Sequence, residues 1–226
     1  MESVLIAAVS AVQAYLLGSI DTGILVSKFL YHDDVRKYGS GAAGMTNMLR
    51  TFGKKAAALT AFGDVLKGVL AVCIGRWLFT LMPESTTLSP YLAVYLAAIF
   101  AIIGHLKPLY FGFKGGKGIA ATAGLILAIH PAFIPMGVIL FFGTFLLTHY
   151  VSLGSLLVYA GFLIEMVIMG QMDLFSMPVG HRTEMYVIAA FLTAMAYWKH
   201  RENIKRLLSG TERKTYLFKK NKEALN

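Results

Sequence analysis

A glycine-rich stretch with two lysines, GFKGGKG at residues 112–118, is the part of this sequence best suited to bind an anion. Its four glycines leave the backbone N–H groups open to close approach by a ligand. The apolar run 119–129 follows directly, so we expect the stretch to lie at a helix N-terminus. Free N–H groups, the helix dipole and lysine charge favour a phosphate there. An ordinary turn with two basic residues is the alternative. We call residues 112–118 the glycine loop.

The glycine loop differs from the Walker A loop of nucleotide-binding proteins in two respects. Three residues separate Gly112 from Gly116, whereas the Walker A motif needs four. Lys117 is followed by Gly118, so the hydroxyl group that would bind magnesium is missing. A nucleoside triphosphate is therefore not the expected ligand.

Two further polar clusters carry groups that bind phosphate. In residues 39–50, glycines expose the backbone, two hydroxyl groups can donate hydrogen bonds, and Arg50 can hold a phosphate through two parallel bonds. His200 and Asn203 are spaced i, i+3 and share one helical face. The alternatives are a flexible loop with an arginine at the membrane surface, and interfacial polar residues without a ligand.

Charged residues inside the apolar segments indicate internal pairing. A lone charge at the centre of a membrane helix costs roughly 2.5–3.5 kcal/mol, so Asp64 and Lys67, spaced i, i+3, are predicted to pair. We interpret this pair as structural support beneath the loops, with a direct role at the substrate as the alternative. The histidines lack metal-ligand spacing, and Cys73 is the only cysteine. We expect no metal site, no cofactor and no disulfide within the chain.

The composition points to helices that cross a membrane. Of the 226 residues, 57% are hydrophobic and 15% are charged, against about 25% charged in soluble domains. Several apolar runs approach or exceed the roughly 18 residues that cross a bilayer. The sequence predicts an all-α integral membrane protein with seven transmembrane helices in a single domain, residues 1–226. The predicted spans are residues 4–28, 56–82, 91–105, 119–130, 132–149, 153–171 and 185–198.

The charges of the connecting segments alternate along the chain, which predicts the orientation. Basic residues gather in segments 36–55 and 107–117 and in the tail from Lys199 onward, whereas the other segments are mainly acidic. The positive-inside rule therefore places the N-terminus outside and the C-terminus in the cytoplasm. Residues 200–208 are predicted to form an amphipathic helix on the cytoplasmic leaflet. The net charge of +9 is thus explained by basic residues on the cytoplasmic side of the membrane, and no nucleic-acid partner is expected. The acidic set is Glu2, Glu84, Asp173 and Glu184, and the tail set includes Lys219, Lys220 and Lys222.

Several stretches, taken in order, resemble the bacterial membrane glycerol-3-phosphate acyltransferases that use acyl phosphate as donor. The resemblance spans nearly the whole chain, and the number of separate motifs makes it specific. The matching stretches are GSGAAGMTNMLR (39–50), GHLKP (104–108), GFKGGKGIAAT (112–122), YVSLGS (150–155) and HRENIKRLLSGTE (200–212), with DVLKG (64–68) and GSIDTG (18–23) also fitting.

The resemblance implies transfer of a fatty acyl group from acyl phosphate to the 1-hydroxyl of sn-glycerol 3-phosphate. The products would be lysophosphatidate and inorganic phosphate, in the first step of phospholipid synthesis. The active site would face the cytoplasm from the bacterial cell membrane, in contact with membrane lipid. No cofactor is implied, and a peripheral enzyme that makes acyl phosphate would be a partner.

Carried over by position, the resemblance implies which residues of this chain surround the phosphates of the two substrates and which act on the reacting groups. His200 would accept the hydroxyl proton, or would hold the acceptor while a substrate phosphate takes that proton. Thr46 and Asn47 would shape the donor site. The implied catalytic residues are Ser40, Arg50, Lys117, His200 and Asn203. The implied substrate-binding residues are Gly41, Thr46, Asn47, Gly115, Gly116, Gly118, Ser152 and Ser155.

Three positions depart from the family pattern. The family usually has Asn where this chain has Ala42, and the loss of that polar group predicts weaker acceptor binding or a different acceptor. Asp21 replaces the usual Pro and Lys107 the usual Phe, and these two charges are expected to compensate one another. Two other functions stay open: a transporter or flippase for a phosphorylated solute, and a weakly active family member that acts as an assembly or regulatory partner. The lack of a two-half repeat argues against a transporter.

Overall fold

The computed structural model describes residues 2–83, 89, 91–175 and 178–217, and the regular structure in these residues is helical. This agrees with the all-α prediction. The contacts between residues divide the chain into a first unit, which contains the residues up to Ile129, and a second unit, His130–Tyr216.

The first unit packs its helices around one long central helix. Helix α4 contacts all five of the others, and α1 packs along α5. Short 3-10 turns at Val35–Lys37 and Leu109–Phe111 precede two polar loops: residues 38–44, which we call the first polar loop, and the glycine loop. The helices are α1 (Glu2–Ser19), α2 (Thr22–Tyr31), α3 (Met45–Phe52), α4 (Lys54–Thr80), α5 (Leu92–Leu106) and α6 (Ile119–Ile129).

Glycines allow the helices of the first unit to approach each other at backbone distance. A Cβ atom added at Gly18 of α1 would lie 2.2 Å from the carbonyl oxygen of Ala101 in α5. One added at Gly124 of α6 would lie 2.0 Å from the carbonyl oxygen of Val65 in α4. Such contacts through small residues are typical of helices that pack within a membrane. A side chain at either glycine would push two helices apart.

The first predicted span is broken, because Asp21 begins a new helix inside it. Helix α1 ends at Ser19, and the carboxylate of Asp21 accepts a hydrogen bond of 3.2 Å from the backbone N–H of Ile24. Aspartate is a preferred residue at a helix N-cap. Asp21 is buried whereas Lys107 is exposed, and no ion pair joins these two side chains in the part of the chain described above. The expected compensation between them is therefore not seen.

The second unit is arranged around α9, which contacts each of its other helices. After α11 the chain folds back within the second unit toward the start of α9, and the N–H of Thr215 donates to the carbonyl oxygen of His149 at 2.9 Å. We call residues 211–216 the C-terminal strap. The helices are α7 (Phe133–Val138), α8 (Thr144–Thr148), α9 (Val151–Gln171), α10 (Val179–Lys199) and α11 (Arg201–Leu208), with a π turn at Ile139–Gly143 between α7 and α8. The predicted tail helix at residues 200–208 is confirmed as α11.

Among the described residues, four stretches are long and apolar enough to cross a membrane: Glu2–Tyr31, which comprises α1 and α2, Lys54–Thr80, Leu92–Phe111 and Val151–Gln171. They account for four of the seven predicted spans. The remaining three are helical but differ in character. Two of them are the shorter apolar segments Ile119–Ile129 and Phe133–Thr148. The third lies in α10, whose first two turns contain the polar residues His181, Arg182 and Glu184. The seven-span count stays a prediction. Of the charges used for orientation, Glu84, Lys219, Lys220 and Lys222 lie outside the described residues.

Candidate functional site

The first polar loop of the first unit is built around the side chain of Asn47. This side chain is 2% exposed, and its Nδ2 donates to the carbonyl oxygens of Val35, Tyr38 and Ala42 at 3.0–3.1 Å. Its Oδ1 accepts from the N–H of Ser40 at 3.3 Å. Asn47 thus fixes the loop backbone from within. The bond to position 42 is accepted by the main-chain oxygen of Ala42. It therefore does not depend on whether alanine or the family's usual asparagine stands there.

The groups that the sequence offered for phosphate binding lie at the outer side of this loop. Ser40 and Gly41 are exposed, and Gly41 has a φ of 67°, a left-handed conformation that favours glycine. Thr46 and Arg50 are half-buried on α3. The loop is therefore held rigidly by Asn47 while hydroxyl and guanidinium groups remain near its surface.

Arg36 joins the first polar loop to the glycine loop. Its Nη1 donates to the carbonyl oxygens of Phe111 at 2.7 Å and Lys114 at 3.2 Å. Its Nη2 and Nε donate to the carboxylate of Asp34 at 2.7 and 3.0 Å. The hydrogen bond and ion pair with Asp34 raise the pKa of Arg36. One planar guanidinium thus bridges two loops that are 75 residues apart along the chain.

We expect Arg36→Met to lower kcat/KM of the acyl transfer that the sequence resemblance implies about 10- to 100-fold, because hydrogen bonds from a charged group contribute about 1.5–3 kcal/mol and small displacements at a reacting centre are costly. A lysine ammonium cannot donate to the Asp34 carboxylate and to the carbonyl oxygens of the other loop at the same time. Arg36→Lys should therefore recover little of the lost activity. Trypsin should cleave after Lys114 faster in both variants. Lys37→Met is the matched control, since the Lys37 side chain is 69% exposed and pairs only with Asp33 among the ion pairs of the described residues. Unchanged activity and cleavage in the Arg36 variants would contradict this role.

The acidic residues that flank Arg36 stay ionised well below neutral pH. Hydrogen bonds from the hydroxyl of Tyr38 and from Lys37 lower the pKa of Asp33 to about 2. The pKa of Asp34 is lowered chiefly by its hydrogen bond with Arg36. These side chains therefore keep the loop contacts at neutral pH.

The glycine loop folds back over the end of α5. The N–H of Gly116 donates to the carbonyl oxygen of His105 at 3.2 Å. A Cβ atom added at Gly115 would lie 2.1 Å from that same oxygen, and one added at Gly116 would lie 2.3 Å from Nε2 of the His105 ring. Glycine is therefore required at both positions by close packing against a histidine.

The loop ends at the N-terminus of α6, as the sequence predicts. Gly118 has a φ of 93°, and its carbonyl oxygen accepts from the N–H of Thr122 at 2.7 Å, so the helix begins at Ile119. Lys117 is half-buried and lies directly before this turn. The first N–H groups of a helix lack intrahelical partners, and together with the lysine they provide donors and positive charge for an anion.

The predicted pairing of Asp64 with Lys67 is confirmed. Lys67 Nζ lies 2.8 Å from Asp64 Oδ1, and both side chains are at most 5% exposed. Lys67 Nζ also lies 2.8 Å from Nδ1 of His105. The ion pair therefore lies directly beneath the residue on which the glycine loop packs.

In the second unit, Glu212 gathers the polar side chains. Its Oε1 accepts from Asn203 Nδ2 at 2.7 Å and from Ser152 Oγ at 2.8 Å, and its Oε2 accepts from Arg206 Nε at 2.7 Å. Burial raises the pKa of Glu212, but these three hydrogen bonds outweigh burial and leave it below its ordinary value. Ser155, by contrast, donates to the carbonyl oxygen of Val151 at 2.8 Å.

His200 lies between α10 and α11 and is oriented by the last turn of α10. The side chain is 2% exposed, and Nδ1 lies 2.8 Å from the carbonyl oxygen of Ala196. A carbonyl oxygen only accepts, so Nδ1 carries a hydrogen and Nε2 is the basic nitrogen of the neutral ring. This geometry suits His200 to accept a proton at Nε2.

The structure thus groups the predicted residues unit by unit. The first unit contains Ser40, Arg50, Lys117 and the glycines, and the second contains Ser152, Ser155, His200 and Asn203. Three residues that organise these groups were not assigned a role from the sequence: Arg36, His105 and Glu212. Glu212 stands in a matching stretch, but its partners Ser152 and Asn203 are brought to it only by the fold. Within residues 2–83, 89, 91–175 and 178–217, no group of three His, Cys, Asp or Glu side chains could hold a metal ion.

Comparison with known proteins places these features in one family. The glycerol-3-phosphate acyltransferase family pattern matches residues 8–210. A glycerol-3-phosphate acyltransferase of Clostridioides difficile (strain 630) is 45% identical over 204 residues, which is 90% of this chain and 93% of that protein. One from Agrobacterium fabrum (strain C58 / ATCC 33970) is 38% identical over 91% of this chain and 90% of that protein.

Two solved structures share the fold. Both are of PlsY (YgiH), an integral membrane glycerol 3-phosphate acyltransferase. The glycerol 3-phosphate form is 33% identical, has a TM-score of 0.79, and the match covers 94% of this chain and 99% of that one. The lysophosphatidic acid form is 30% identical with a TM-score of 0.76, and the match covers 93% and 96% of the two chains.

Proposed function

Because this chain belongs to the glycerol-3-phosphate acyltransferase family, we propose that it moves a fatty acyl group from acyl phosphate to the 1-hydroxyl of sn-glycerol 3-phosphate. The hydroxyl oxygen attacks the acyl carbon, the bond from that carbon to the phosphate oxygen breaks, and lysophosphatidate and inorganic phosphate are released. The forms in which PlsY was solved support the acceptor and the product. The observation that supports acyl phosphate as the donor is the glycine loop with Lys117, because its lysine and backbone N–H groups suit a departing phosphate.

In the first unit, Lys117 and the amides of the glycine loop stabilise the negative charge that grows on the departing phosphate. Donors fixed in advance are effective because they need no rearrangement as that charge develops. Gly115, Gly116 and Gly118 shape the backbone of this cradle, and Gly116 holds it to α5 because its own N–H donates to the carbonyl oxygen of His105. Arg50 and Ser40 orient the acceptor, which already bears its own phosphate.

In the second unit, His200 accepts the hydroxyl proton at Nε2, the nitrogen left basic by the bond from Nδ1 to Ala196. The alternative, in which His200 only holds the acceptor and a substrate phosphate takes the proton, predicts a smaller loss of kcat in His200→Gln. Asn203 assists in orienting the acceptor, and Ser152 and Ser155 line the substrate. Glu212 fixes the orientation of Asn203 and Ser152.

The substrates and the charge pattern together support a location at the cytoplasmic face of the bacterial inner membrane. We propose seven spans, an outer N-terminus and a cytoplasmic C-terminus. The acyl chain of the donor would then enter sideways from the bilayer. A peripheral enzyme that produces acyl phosphate is the proposed source of the donor.

The experiment that tests the proposal gives the purified protein, in detergent or lipid, acyl phosphate and glycerol 3-phosphate while phosphate and lysophosphatidate are measured. We expect equal amounts of both products, and no turnover when glycerol replaces glycerol 3-phosphate. Equal rates with an acyl thioester donor would overturn the assignment of the donor. Folded protein without turnover on any polyol phosphate would instead support the weakly active family member. An increased affinity for glycerol 3-phosphate in Ala42→Asn would show that position 42 limits acceptor binding.

A further inference from the structure

A buried group of charged and titratable side chains in the first unit has no part in the substrate binding or proton transfer proposed above. Asp64, Lys67 and His105 are 1%, 5% and 2% exposed, and they lie on α4 and α5 beneath the glycine loop. Burying such groups is costly unless each is paired. Which of these three side chains carry protons is therefore decided by the contacts between them.

The ammonium group of Lys67 determines the state of His105. Lys67 Nζ donates to the carbonyl oxygen of Ile20 at 2.9 Å, lies 2.8 Å from His105 Nδ1, and forms an ion pair with Asp64 Oδ1 at 2.8 Å. A lysine ammonium has three hydrogens to donate and no lone pair, so Nδ1 of His105 must accept. The imidazole is therefore neutral, and its hydrogen is on Nε2.

The opposite tautomer does not fit this geometry. A hydrogen on Nδ1 would point at an ammonium group 2.8 Å away. The carboxylate that could attract such a hydrogen, Asp64 Oδ1, is farther from Nδ1, at 3.7 Å. Lys67 thus acts as a fixed donor that selects one tautomer of His105.

The Nε2 side of the ring faces the glycine loop. A Cβ atom added at Gly116 would lie 2.3 Å from Nε2 and 2.8 Å from Cε1 of His105, so the ring packs directly under the backbone of Gly116. The carbonyl oxygen of His105 also accepts from the N–H of Gly116. The ring and the carbonyl oxygen of His105 together fix how far the loop backbone beside Lys117 lies from the end of α5.

We propose that His105 is a positioning residue for the glycine loop, held by Lys67 as a neutral imidazole that presents Nε2–H to the Gly115–Gly116 turn. The ring fixes where the loop amides and Lys117 meet the phosphate, and touches no reacting atom itself. Its kinetic consequence rests on the proposed function. The tautomer does not, because it follows from the contacts of Lys67 alone.

Two amide variants separate this role from a simple need to satisfy Lys67. Glutamine at position 105 reaches the Nε2 position and keeps an N–H donor under the loop, whereas asparagine, one methylene shorter, reaches only the Nδ1 position and keeps an acceptor for Lys67. We expect His105→Gln to stay within about threefold of the parent kcat and His105→Asn to lose about 10- to 100-fold, with little change in KM. Comparable activity of the two variants, or the reverse order, would overturn the proposal.

Nitrogen-15 NMR of protein labelled at histidine tests the tautomer directly. We expect the His105 signal, assigned by its disappearance in His105→Gln, to show the neutral Nε2–H form at pH 7, and we expect this preference to be lost in Lys67→Met. An imidazolium or an Nδ1–H form would overturn the inference even in a fully active enzyme. If the parent protein were inactive with acyl phosphate, the proposed function would fail while the NMR result still decided the state of His105. Thermal unfolding of each variant identifies any loss that comes from misfolding.

Discussion

Replacing Lys117 with methionine is expected to lower kcat/KM about 10²- to 10³-fold, the loss measured when one charge-stabilising donor is removed from a site of this kind. Methionine keeps an unbranched side chain of similar length, so the half-buried position stays filled. What is lost is the ammonium group beside the first turn of α6. If that group acts on the departing phosphate, its effect is largest in the transition state, and kcat should fall more than KM rises.

Lys114 provides the matched control for this experiment. It lies in the same loop and is exposed, and it is the carbonyl oxygen of Lys114 that Arg36 contacts, a group that substitution of the side chain leaves in place. Lys114→Met should therefore stay within about threefold of the parent, because an exposed charge contributes little through screened interactions. Lys117→Arg should recover only part of the activity, since a planar guanidinium cannot occupy the position of a compact ammonium. Similar rates for the Lys114 and Lys117 variants would remove Lys117 from the catalytic group.

Replacing Glu212 with glutamine is expected to destabilise the protein by about 2–3 kcal/mol, because a buried acceptor for three donors is lost. Glutamine accepts at one of its two terminal atoms only. Whichever way its amide is turned, its NH₂ group would face either Arg206 or the pair formed by Asn203 and Ser152. The midpoint of thermal unfolding should fall by about 4–12 °C.

The pH dependence of this effect has a definite sign. The pKa of Glu212 in the folded protein is below the ordinary value of 4.5. Its contribution to the free energy of unfolding is therefore fully present above about pH 4.5 and is lost as the pH falls through the lower folded value. The difference in unfolding midpoint between the parent protein and Glu212→Gln should accordingly shrink in acid. A difference that grew below pH 4.5 would contradict the assignment.

Glu202→Gln serves as the control, since Glu202 lies on α11 close to Glu212 in sequence but is 58% exposed and pairs with exposed Lys205 and Arg201. Its unfolding midpoint should change little, because exposed ion pairs contribute at most about 1 kcal/mol. Activity should fall in Glu212→Gln even at temperatures where it is folded, since Asn203 and Ser152 lose their common partner. If the unfolding midpoint fell as far in Glu202→Gln as in Glu212→Gln, the loss of one negative charge would explain both results, and the hydrogen bonds of Glu212 would not be needed.

Hydropathy predicted the long helices because a single property, apolar length, determines them. Helix α9 begins at Val151 and ends at Gln171, close to the predicted span 153–171. The break at Asp21 was not predicted, because apolar residues continue on both sides and a single capping residue is a weak signal inside an apolar run; the bond from the N–H of Ile24 to its carboxylate shows the cap. The amphipathic pattern Ile204, Leu207 and Leu208 was enough to predict α11.

The candidate site was predictable where a side chain acts through its own chemistry, and not where it acts through a partner far along the chain. The spacing of Asp64 and Lys67 predicted their ion pair because both lie on one helix. The link from Lys67 to His105 joins residues 38 positions apart, and no local pattern contains it. Asn47 was expected to shape the donor site, whereas the structure shows its amide bound to loop carbonyls. A binding role for Asn47 beyond this one stays a prediction.

The C-terminal strap has a practical consequence for anyone who shortens or tags this protein. The family pattern stops at residue 210, which would make that position the natural place to truncate or to attach a fusion partner. Such a cut would delete Glu212 and with it the common acceptor of Ser152, Asn203 and Arg206. It would also remove Thr215, which is fully buried and bonded to His149. The boundary defined by sequence similarity therefore falls short of the physical boundary of the folded unit, and engineering at this end belongs beyond Tyr216.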